Sequence, residues 1–418
     1  MKYCVRCLYP ENHPLGLVFD NDGVCSGCRV HEEKDELDWV SRFEKLREIS
    51  LQYKNKKRST HDCIIPVTGG RDSYFIVHVV KNLLGLTPLL VNYNHHYNTR
   101  MGVRNLAYLR TLMGADFTQC TVSPERVKKI TKVTLKECGS MYWHCLAGQT
   151  VYPVQVAVKF KIPLIIWGAH QGVDQVGMFS HLDEVEMTRK YRKEHDLMGL
   201  EAEDLLRMDN GLDRSCLEQF LYPHDKEIEA VGVRGIYLNN YIRWDSKAQH
   251  ESMIEKYGYE TMQQQRTFDT YNDVDSFHYS GIHDYIKLIK HGYGKITDHV
   301  CREIRLKRMT RVDGARLIIK YNNVEVRDLS LLLDWLNMKE SMFWKEVNRF
   351  RSSRAWGQLS NGEWELKEEF TNGVKTEDAG SACLELMGDC SFQLNQTKDA
   401  NPVENEYVLL GRGHVDLV

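Results

Sequence analysis

Apolar positions along the chain come in short runs separated by longer stretches of helical period, and that alternation sets the expected architecture. Residues 62–67, Asp-Cys-Ile-Ile-Pro-Val, form a short apolar run ending at Thr68-Gly69-Gly70-Arg71-Asp72-Ser73. Tyr74 to Leu84 then carries the pattern of a buried helix stopped by Gly85, and Thr87 to Tyr93 reads as the next strand. The alternation continues with a helix over Arg100–Met113 stopped by Gly114, a strand over Phe117–Val122, and a helix begun by Pro124 and running to Glu137. Gly148–Phe160 is a helical run interrupted by Pro153, and Ile162–Trp167 is a buried strand leading into Gly168-Ala169-His170. Strands separated by helices of this length predict an α/β fold with a doubly wound parallel sheet, whose ligands bind at the carboxyl ends of the strands. Three loops, 68–73, 92–98 and 168–174, are expected to converge there.

Flanking segments have weaker patterns. Leu37, Val40, Phe43, Leu46 and Ile49 lie near helical spacing within 31–58, which predicts a connecting helix with a basic end at Lys54–Arg58. Residues 180–230 are charged and lack clear period. Gly232–Asp245 interleaves aromatics with Arg234 and Arg243, which suits either a nucleotide or sugar contact or a strand packing its rings into the core. The expected organisation is knuckles over 1–35, a linker helix over 36–60, the α/β domain over 61–190, a mostly helical substrate or partner region over 191–365, and a variable tail over 366–418.

The turn at 68–73 carries the first chemical signal. A strand that empties through two glycines onto a helix N-terminus leaves backbone N–H groups without partners in a positive helix-dipole field, which is a seat for phosphate. It is not a Walker loop, because no lysine lies within it and no Gly-Lys-Ser/Thr follows. Asp72 and Asp174 are the carboxylates expected near Mg2+, an ion that takes oxygen ligands; a helix cap accounts for either equally well.

Composition narrows the classes. Hydrophobic residues at 42% and charged residues at 27% are ordinary for a globular protein, and 55 basic against 58 acidic residues leave a net charge near −3. Nothing in that balance asks for nucleic acid or an anionic membrane. No apolar stretch approaches the roughly 20 residues of a membrane span, and Met1-Lys2-Tyr3-Cys4 opens no signal-length run, so a cytoplasmic location is expected. Twelve cysteines in a reducing compartment point to metal or catalysis before disulfides. Cys4-x-x-Cys7 and Cys25-x-x-Cys28 have the spacing of a closed, structural Zn2+ site, with a redox or iron–sulfur cluster as the competing reading, and the segment between them is too poor in apolar residues to fold unaided. Cys138 and Cys145, the latter beside His144, fit no standard ligand spacing and read as buried thiols or as a reactive pair.

Thr68-Gly69-Gly70-Arg71-Asp72-Ser73 resembles the SGGxDS signature of the PP-loop ATP pyrophosphatases, with threonine for the first serine. That resemblance implies ATP, its pyrophosphate end held by backbone amides and by Thr68 and Ser73, with Gly69, Gly70, Arg71 and Asp72 completing the loop. It also implies Asn92 and Tyr93 near adenine, and Gly168, His170 and Asp174 beside the nucleotide and its Mg2+. Over roughly residues 1–365 the order of elements is more specific. The double knuckle, the TGGRDS loop, Trp143-His144-Cys145, the Ile-Trp-Gly strand end, Gly-Ile-Tyr-Leu and Gly292-Tyr-Gly-Lys-x-Thr-Asp-His299 resemble the N-acetyl sugar amidotransferases of surface-polysaccharide synthesis. The chain departs from that pattern at Gly168-Ala169-His170 and in the order Trp143-His144-Cys145.

The family resemblance implies conversion of an acetamido group on a nucleotide-linked sugar to an acetamidino group through an adenylated imidate. Arg243, Asp298, His299 and Arg302 are the expected sugar or nucleotide contacts. No glutaminase-like region is read in the chain, so ammonia is expected from partner subunits resembling a glutaminase and a cyclase; a homo-oligomer is compatible with this reading. Two alternatives stand beside it. One is a PP-loop tRNA sulfur-transfer enzyme using Cys63, Cys138 or Cys145, and the other is a zinc-ribbon scaffold that binds nucleotide without catalysis.

Overall fold

The computed structural model describes residues 2–54, 60–276 and 281–367; the basic run 55–58, His278–Ser280 and the tail from 368, with Cys383 and Cys390, lie outside them. The centre is a parallel sheet of five strands, β1 (Cys63–Pro66), β2 (Pro88–Tyr93), β3 (Asp116–Cys120), β4 (Leu164–Trp167) and β5 (Arg234–Tyr237), in the order β3-β2-β1-β4-β5. Register runs Cys63 beside Pro88, Leu89 beside Asp116, Ile64 beside Ile165 and Leu164 beside Arg234. The chain winds outward from β1 through β2 to β3, then returns to place β4 and β5 on the other side of β1. The order therefore reverses between β1 and β4, which is where an open α/β sheet leaves its ligand crevice.

Successive β1 side chains point to opposite faces, and the two faces bury different clusters. Cys63, Ile65 and Val67 pack with Tyr74, Val77 and Val80 on one side; Ile64 packs with Val91, Val154, Ala157 and Ile165 on the other. The covering helices are α3 (Arg71–His78), which runs on into a π-helical turn at Val79–Leu83, α4 (Arg100–Met113), α5 (Pro124–Cys138) and α6 (Trp143–Phe160). Gly114 closes α4 in the left-handed region at φ 54°, and Ser123 caps α5 with Pro124 in its first turn. Of the two readings left open for Gly232–Asp245, the strand holds for Arg234–Tyr237, which forms β5.

The single connecting helix expected over 31–58 is two helices, α1 (Ser26–Glu36) and α2 (Trp39–Tyr53), because Asp38 caps the second by accepting from the N–H groups of Val40 and Ser41. Leu46 and Ile49 are buried, while Val40 is 76% exposed.

Short helical segments between Gln171 and Val231 link β4 to β5; beyond β5 lie a turn at Leu238–Asn240 and α7 (Ser246–Tyr257), then α8 (Ile282–His291), α9 (Lys295–Arg305), α10 (Arg311–Asn322), α11 (Leu329–Leu336), α12 (Glu340–Asn348) and a hairpin of β6 (Trp356–Gln358) with β7 (Trp364–Leu366). Residues 258–276, after α7, form no helix or strand, yet Arg266, Thr267 and Asp269 are fully buried there. Their polar groups are met by side chains and backbone: Arg266 Nε bonds Asp284 at 2.7 Å, and Asp269 accepts from the backbone N–H groups of Tyr271 and Asn272. The cysteine knuckles do not stand apart. Leu8, Tyr9, Leu17 and Val24 share one apolar cluster with Ile296, Val300 and Ile304 of α9 and Ala315 and Ile318 of α10.

Candidate functional site

The loop after β1 is held open by its own hydroxyls. Gly69 sits at φ 86°, and a Cβ there would meet the Gly102 carbonyl oxygen at 2.9 Å, so both backbone shape and the approach of α4 require glycine. Thr68 Oγ1 accepts from the Gly70 N–H at 3.1 Å, and Ser73 Oγ accepts from the Thr68 N–H at 3.1 Å. Each hydroxyl is used as an acceptor and keeps its own O–H to donate. Gly70 begins α3 with no side-chain cap; the Ser73 N–H bonds the Gly70 carbonyl at 3.1 Å, which leaves the N–H groups of Arg71 and Asp72 in the first turn to face the crevice.

Two cavities meet across this loop. The larger, about 290 Å³, has Arg71 and Asp72 on one side and α9 on the other; the second, about 230 Å³, is lined by Thr68, Ser73, Tyr93, Gln149, Trp167 and Gly168. Asp72 and Ala169 border both. Asn92 is buried behind the second cavity rather than open to it: its Nδ2 donates to the Val67 carbonyl at 2.7 Å and its Oδ1 accepts from Gln119 at 2.5 Å. It fixes the end of β1 relative to β2 and β3. Tyr93 lies flat against Gly148, where any Cβ would strike its ring at 2.4 Å, and its hydroxyl meets His144 Nδ1 at 3.2 Å.

The opposite wall of the larger cavity is built by α9. Lys295, Asp298, His299, Arg302 and Arg305 recur at helical spacing and all line it, while Ile296, Val300 and Ile304 on the other face enter the apolar cluster shared with the knuckles. Asp298 accepts from Tyr9 Oη at 2.9 Å, from Gln175 Nε2 at 3.0 Å and from Lys287. His299 Nε2 faces the Asn272 amide N–H at 3.3 Å, leaving Nδ1–H to donate to Thr267 Oγ1 at 2.7 Å. Burial pushes this imidazole down to about 3, so it is neutral near pH 7. Arg302 donates to Asp269 and to Glu303, each at 2.8 Å. Arg71 and Arg302 lie over the same Tyr271 ring, at 5.3 and 5.4 Å.

The N-terminal segment completes the wall with Tyr9, His31 and Lys34. Lys34 Nζ bonds Asp174 and the Trp244 carbonyl, with its side chain only 2% exposed. Asp72 is paired by Arg71 Nε at 2.9 Å. Lys34, Arg71, Lys295, Arg302 and Arg305 thus face Asp72, Asp174, Asp273 and Asp298 in one hollow, a mixed field suited to an anion carrying a cation. Asp273 stands out in it. Its backbone is left-handed at φ 52°, its carboxylate lies 3.7 Å from Lys295 Nζ, and burial raises its pKa to about 6 despite that lysine.

Other residues fall elsewhere. Arg243 pairs with Asp35 at 2.7 Å and does not line the cavity. His170 belongs to a third hollow, behind loop 168–171, with Trp167, Tyr191 and Tyr237. Cys63 is buried in β1, the Cys138 thiol donates to the Thr134 carbonyl at 3.2 Å, and Cys145 is buried against His144 with burial raising its pKa well above the usual thiol value. Among the described residues, no cysteine lines any of these three cavities. Lys34 and Asp273 escaped the sequence reading, and Lys295 and Arg305, though within the charged run it singles out, are not among its expected contacts. The spacing of charges along 295–305 was the one available signal; Lys34 and Asp273 arrive through packing and irregular chain.

The four knuckle cysteines are all buried, with sulfurs within 4.8 Å of one another. Cys4 and Cys28 sulfurs are 3.9 Å apart, and those of Cys7 and Cys25 are 3.7 Å apart. A tetrahedron with Zn–S bonds of about 2.3 Å has edges of about 3.8 Å, so the donor set fits Zn2+. Cys4 Sγ also receives the N–H groups of Arg6, Cys7 and Cys25 at 3.3–3.4 Å, and Arg305 Nη2 lies 3.5 Å from Cys25 Sγ, which offsets thiolate charge. No helix among the described residues is long and apolar enough to cross a membrane.

Comparison with curated proteins gives no match. Residues 249–370, which include Asp273 and the whole cavity face of α9, match the family model described as LPS biosynthesis protein WbpG-like, C-terminal domain, and this match supports involvement of the chain in lipopolysaccharide biosynthesis.

Proposed function

We propose that the protein is an ATP-dependent amidotransferase that converts the acetamido group of a nucleotide-linked sugar to an acetamidino group, acting in the cytoplasm during surface-polysaccharide synthesis. The observation that carries this reading is that the glycine loop after β1 and helix α9 of the lipopolysaccharide-associated region face each other across one hollow, with Arg71 and Arg302 on the same Tyr271 ring. Uncapped N–H groups at α3 and the free O–H groups of Thr68 and Ser73 suit the pyrophosphate end of ATP. ATP supplies adenylation of the amide oxygen, a poor leaving group otherwise, and Mg2+ would sit among Asp72, Asp174 and the phosphates. Lys34 holds Asp174 in place, while Arg71, Lys295 and Arg302 bring opposing charge to the acceptor anion. Positioning of the amide oxygen in line with the α-phosphate is the main source of acceleration. His299, neutral and locked by Thr267 and Asn272, orients the wall without taking a proton. Ammonia then displaces AMP, delivered by glutaminase and cyclase-like partners.

Sulfur transfer to tRNA is the competing reading, and among the described residues no cysteine lines these three cavities, which gives a thiol relay no support there. The test incubates the protein with ATP, Mg2+, ammonium and a panel of nucleotide-linked acetamido sugars, followed by mass spectrometry. A sugar lighter by one mass unit, oxygen replaced by NH, together with AMP and pyrophosphate, is the expected outcome. AMP formation with every sugar unchanged and tRNA thiolated instead would sink the proposal.

A further inference from the structure

Behind loop 168–171 lies the third hollow, about 160 Å³, which shares Ala169 and Gln171 with the main cavity. Its walls are aromatic: His170 lies 4.1 Å from the Tyr191 ring and 4.7 Å from Tyr237, with Trp167 beside Tyr237. It is nonetheless furnished with polar atoms that the fold leaves unused. Both ring nitrogens of His170, which is 1% exposed, and the indole N–H of Trp167 have no hydrogen-bond partner among the described residues. Buried polar atoms left this way cost stability unless something fills the space. Asp196 completes the lining, and the rim at Thr188 is exposed.

We infer that this hollow is the entry port for the ammonia used in the main cavity, with Asp196 as the group that takes the proton from ammonium. The inference rests on the amidotransferase reading above. Aromatic faces attract a small ammonium ion, and a carboxylate is needed to convert it to the nucleophile. The step balances: one N–H bond of ammonium breaks, its electron pair stays on nitrogen, the proton forms the Asp196 carboxylic acid, and neutral ammonia remains. Neutral His170, its pKa lowered by burial to about 4, has a free ring nitrogen to accept an N–H on the way past Ala169 and Gln171.

The groups facing Asp196 are Arg192 on its own turn, Tyr191, and Tyr237 from β5; His170, with His195 near it, completes the lining. Glu201 pairs with the Arg192 guanidinium through Nη2 and Tyr222 lies 4.5 Å beneath it, which offsets its charge toward the incoming cation, while Nε and Nη1 have no partner among the described residues. Burial, opposed by Arg192, raises the Asp196 pKa to about 7, close to that of an efficient proton acceptor at neutral pH.

The test uses the full chain with ammonium chloride as sole nitrogen source, ATP, Mg2+ and whichever panel sugar the wild type converts. Asp196→Asn removes the acceptor, and Thr150→Leu narrows the hollow at a helix position whose hydroxyl bonds only its own helix, to Leu146 and Ala147. Both variants are expected to raise KM for ammonium about tenfold or more while KM for ATP and kcat at saturating ammonium change less than about threefold. In the wild type kcat/KM for ammonium rises through the ionisation of Asp196, and Asp196→Asn loses that step. Wild-type turnover with unchanged ammonium KM and pH profile in both variants overturns the port and leaves the amidotransferase reading standing; a hollow holding only water gives that result. Failure of the wild type to form any amidine overturns the reading itself, and the port with it.

Discussion

The Tyr9 hydroxyl donates a 2.9 Å hydrogen bond to Asp298, tying the chain just after Cys7 to the cavity face of α9. Arg311 reinforces the same junction by donating to the carbonyls of Cys7 and Cys4 at 2.9 and 3.3 Å. The knuckles are thus part of the cavity wall. Tyr9→Phe removes one of the donors to a carboxylate that keeps Gln175 and Lys287. A loss of about 1–2 kcal/mol is expected, read as a lower urea midpoint with unchanged slope. An unchanged midpoint would show that the bond is idle.

Metal removal should reach further than the knuckles. One zinc per chain is expected by elemental analysis, and chelation, or Cys25→Ser, should expose both 2–36 and 293–322 to protease, because the two segments bury one apolar cluster. Protection retained at 293–322 after the metal has gone would show that α9 and α10 are held by other contacts.

The two glycines of the phosphate loop should part company. Gly69→Ala forces a Cβ into a left-handed residue and against the Gly102 carbonyl, so a destabilisation on the order of 1–3 kcal/mol is expected. Gly70 has φ −76°, and its Cβ would meet chiefly Thr68 Oγ1 at 3.1 Å. Gly70→Ala should therefore fold nearly as well as wild type while losing the rise in Tm that ATP confers. Equal destabilisation by both would contradict this division.

Asp273 supplies a pH signature. Its pKa, raised by burial to about 6 from an ordinary value near 3.8, means that the folded state holds the proton more tightly than the unfolded one. The group's unfavourable contribution therefore grows as pH rises from about 4 to about 6 and is complete above that. Asp273→Asn, which tolerates the left-handed backbone, should be stabilised relative to wild type at pH 7 but not at pH 4, and should lose activity if the carboxylate serves the reaction. Thermal melts at the two pH values decide; a stability difference independent of pH would refute the raised value.

Much of the α/β core was legible because apolar runs and glycine stops are local signals. Gly114 ends its helix where expected, and β1, β2 and β4 fall within the predicted runs. The break between α1 and α2 was missed because it is made by one capping aspartate, Asp38, inside a stretch whose apolar spacing continues across it. The cysteine pairs were legible from spacing alone, and the sulfurs meet at tetrahedral distances. Asp298, His299 and Arg302 were picked from their letters, and helical geometry brings them to one cavity. Arg243 was picked on composition beside aromatics, and its charge is engaged by Asp35. Asp273 left no trace in the sequence, since its position depends on the buried irregular residues 258–276, where no periodicity exists to read.

The apolar cluster that Leu8 and Val24 share with Val300 and Ile318 has a consequence for synthesis. At about 5–20 residues per second, the ribosome takes on the order of tens of seconds to make the chain that separates them. Throughout that interval the early segment lacks the apolar partners that α9 and α10 supply, and a bound metal would hold it ordered meanwhile. Cells short of zinc should therefore accumulate this protein as an aggregation-prone nascent chain, even if the finished molecule, once assembled, releases its metal slowly.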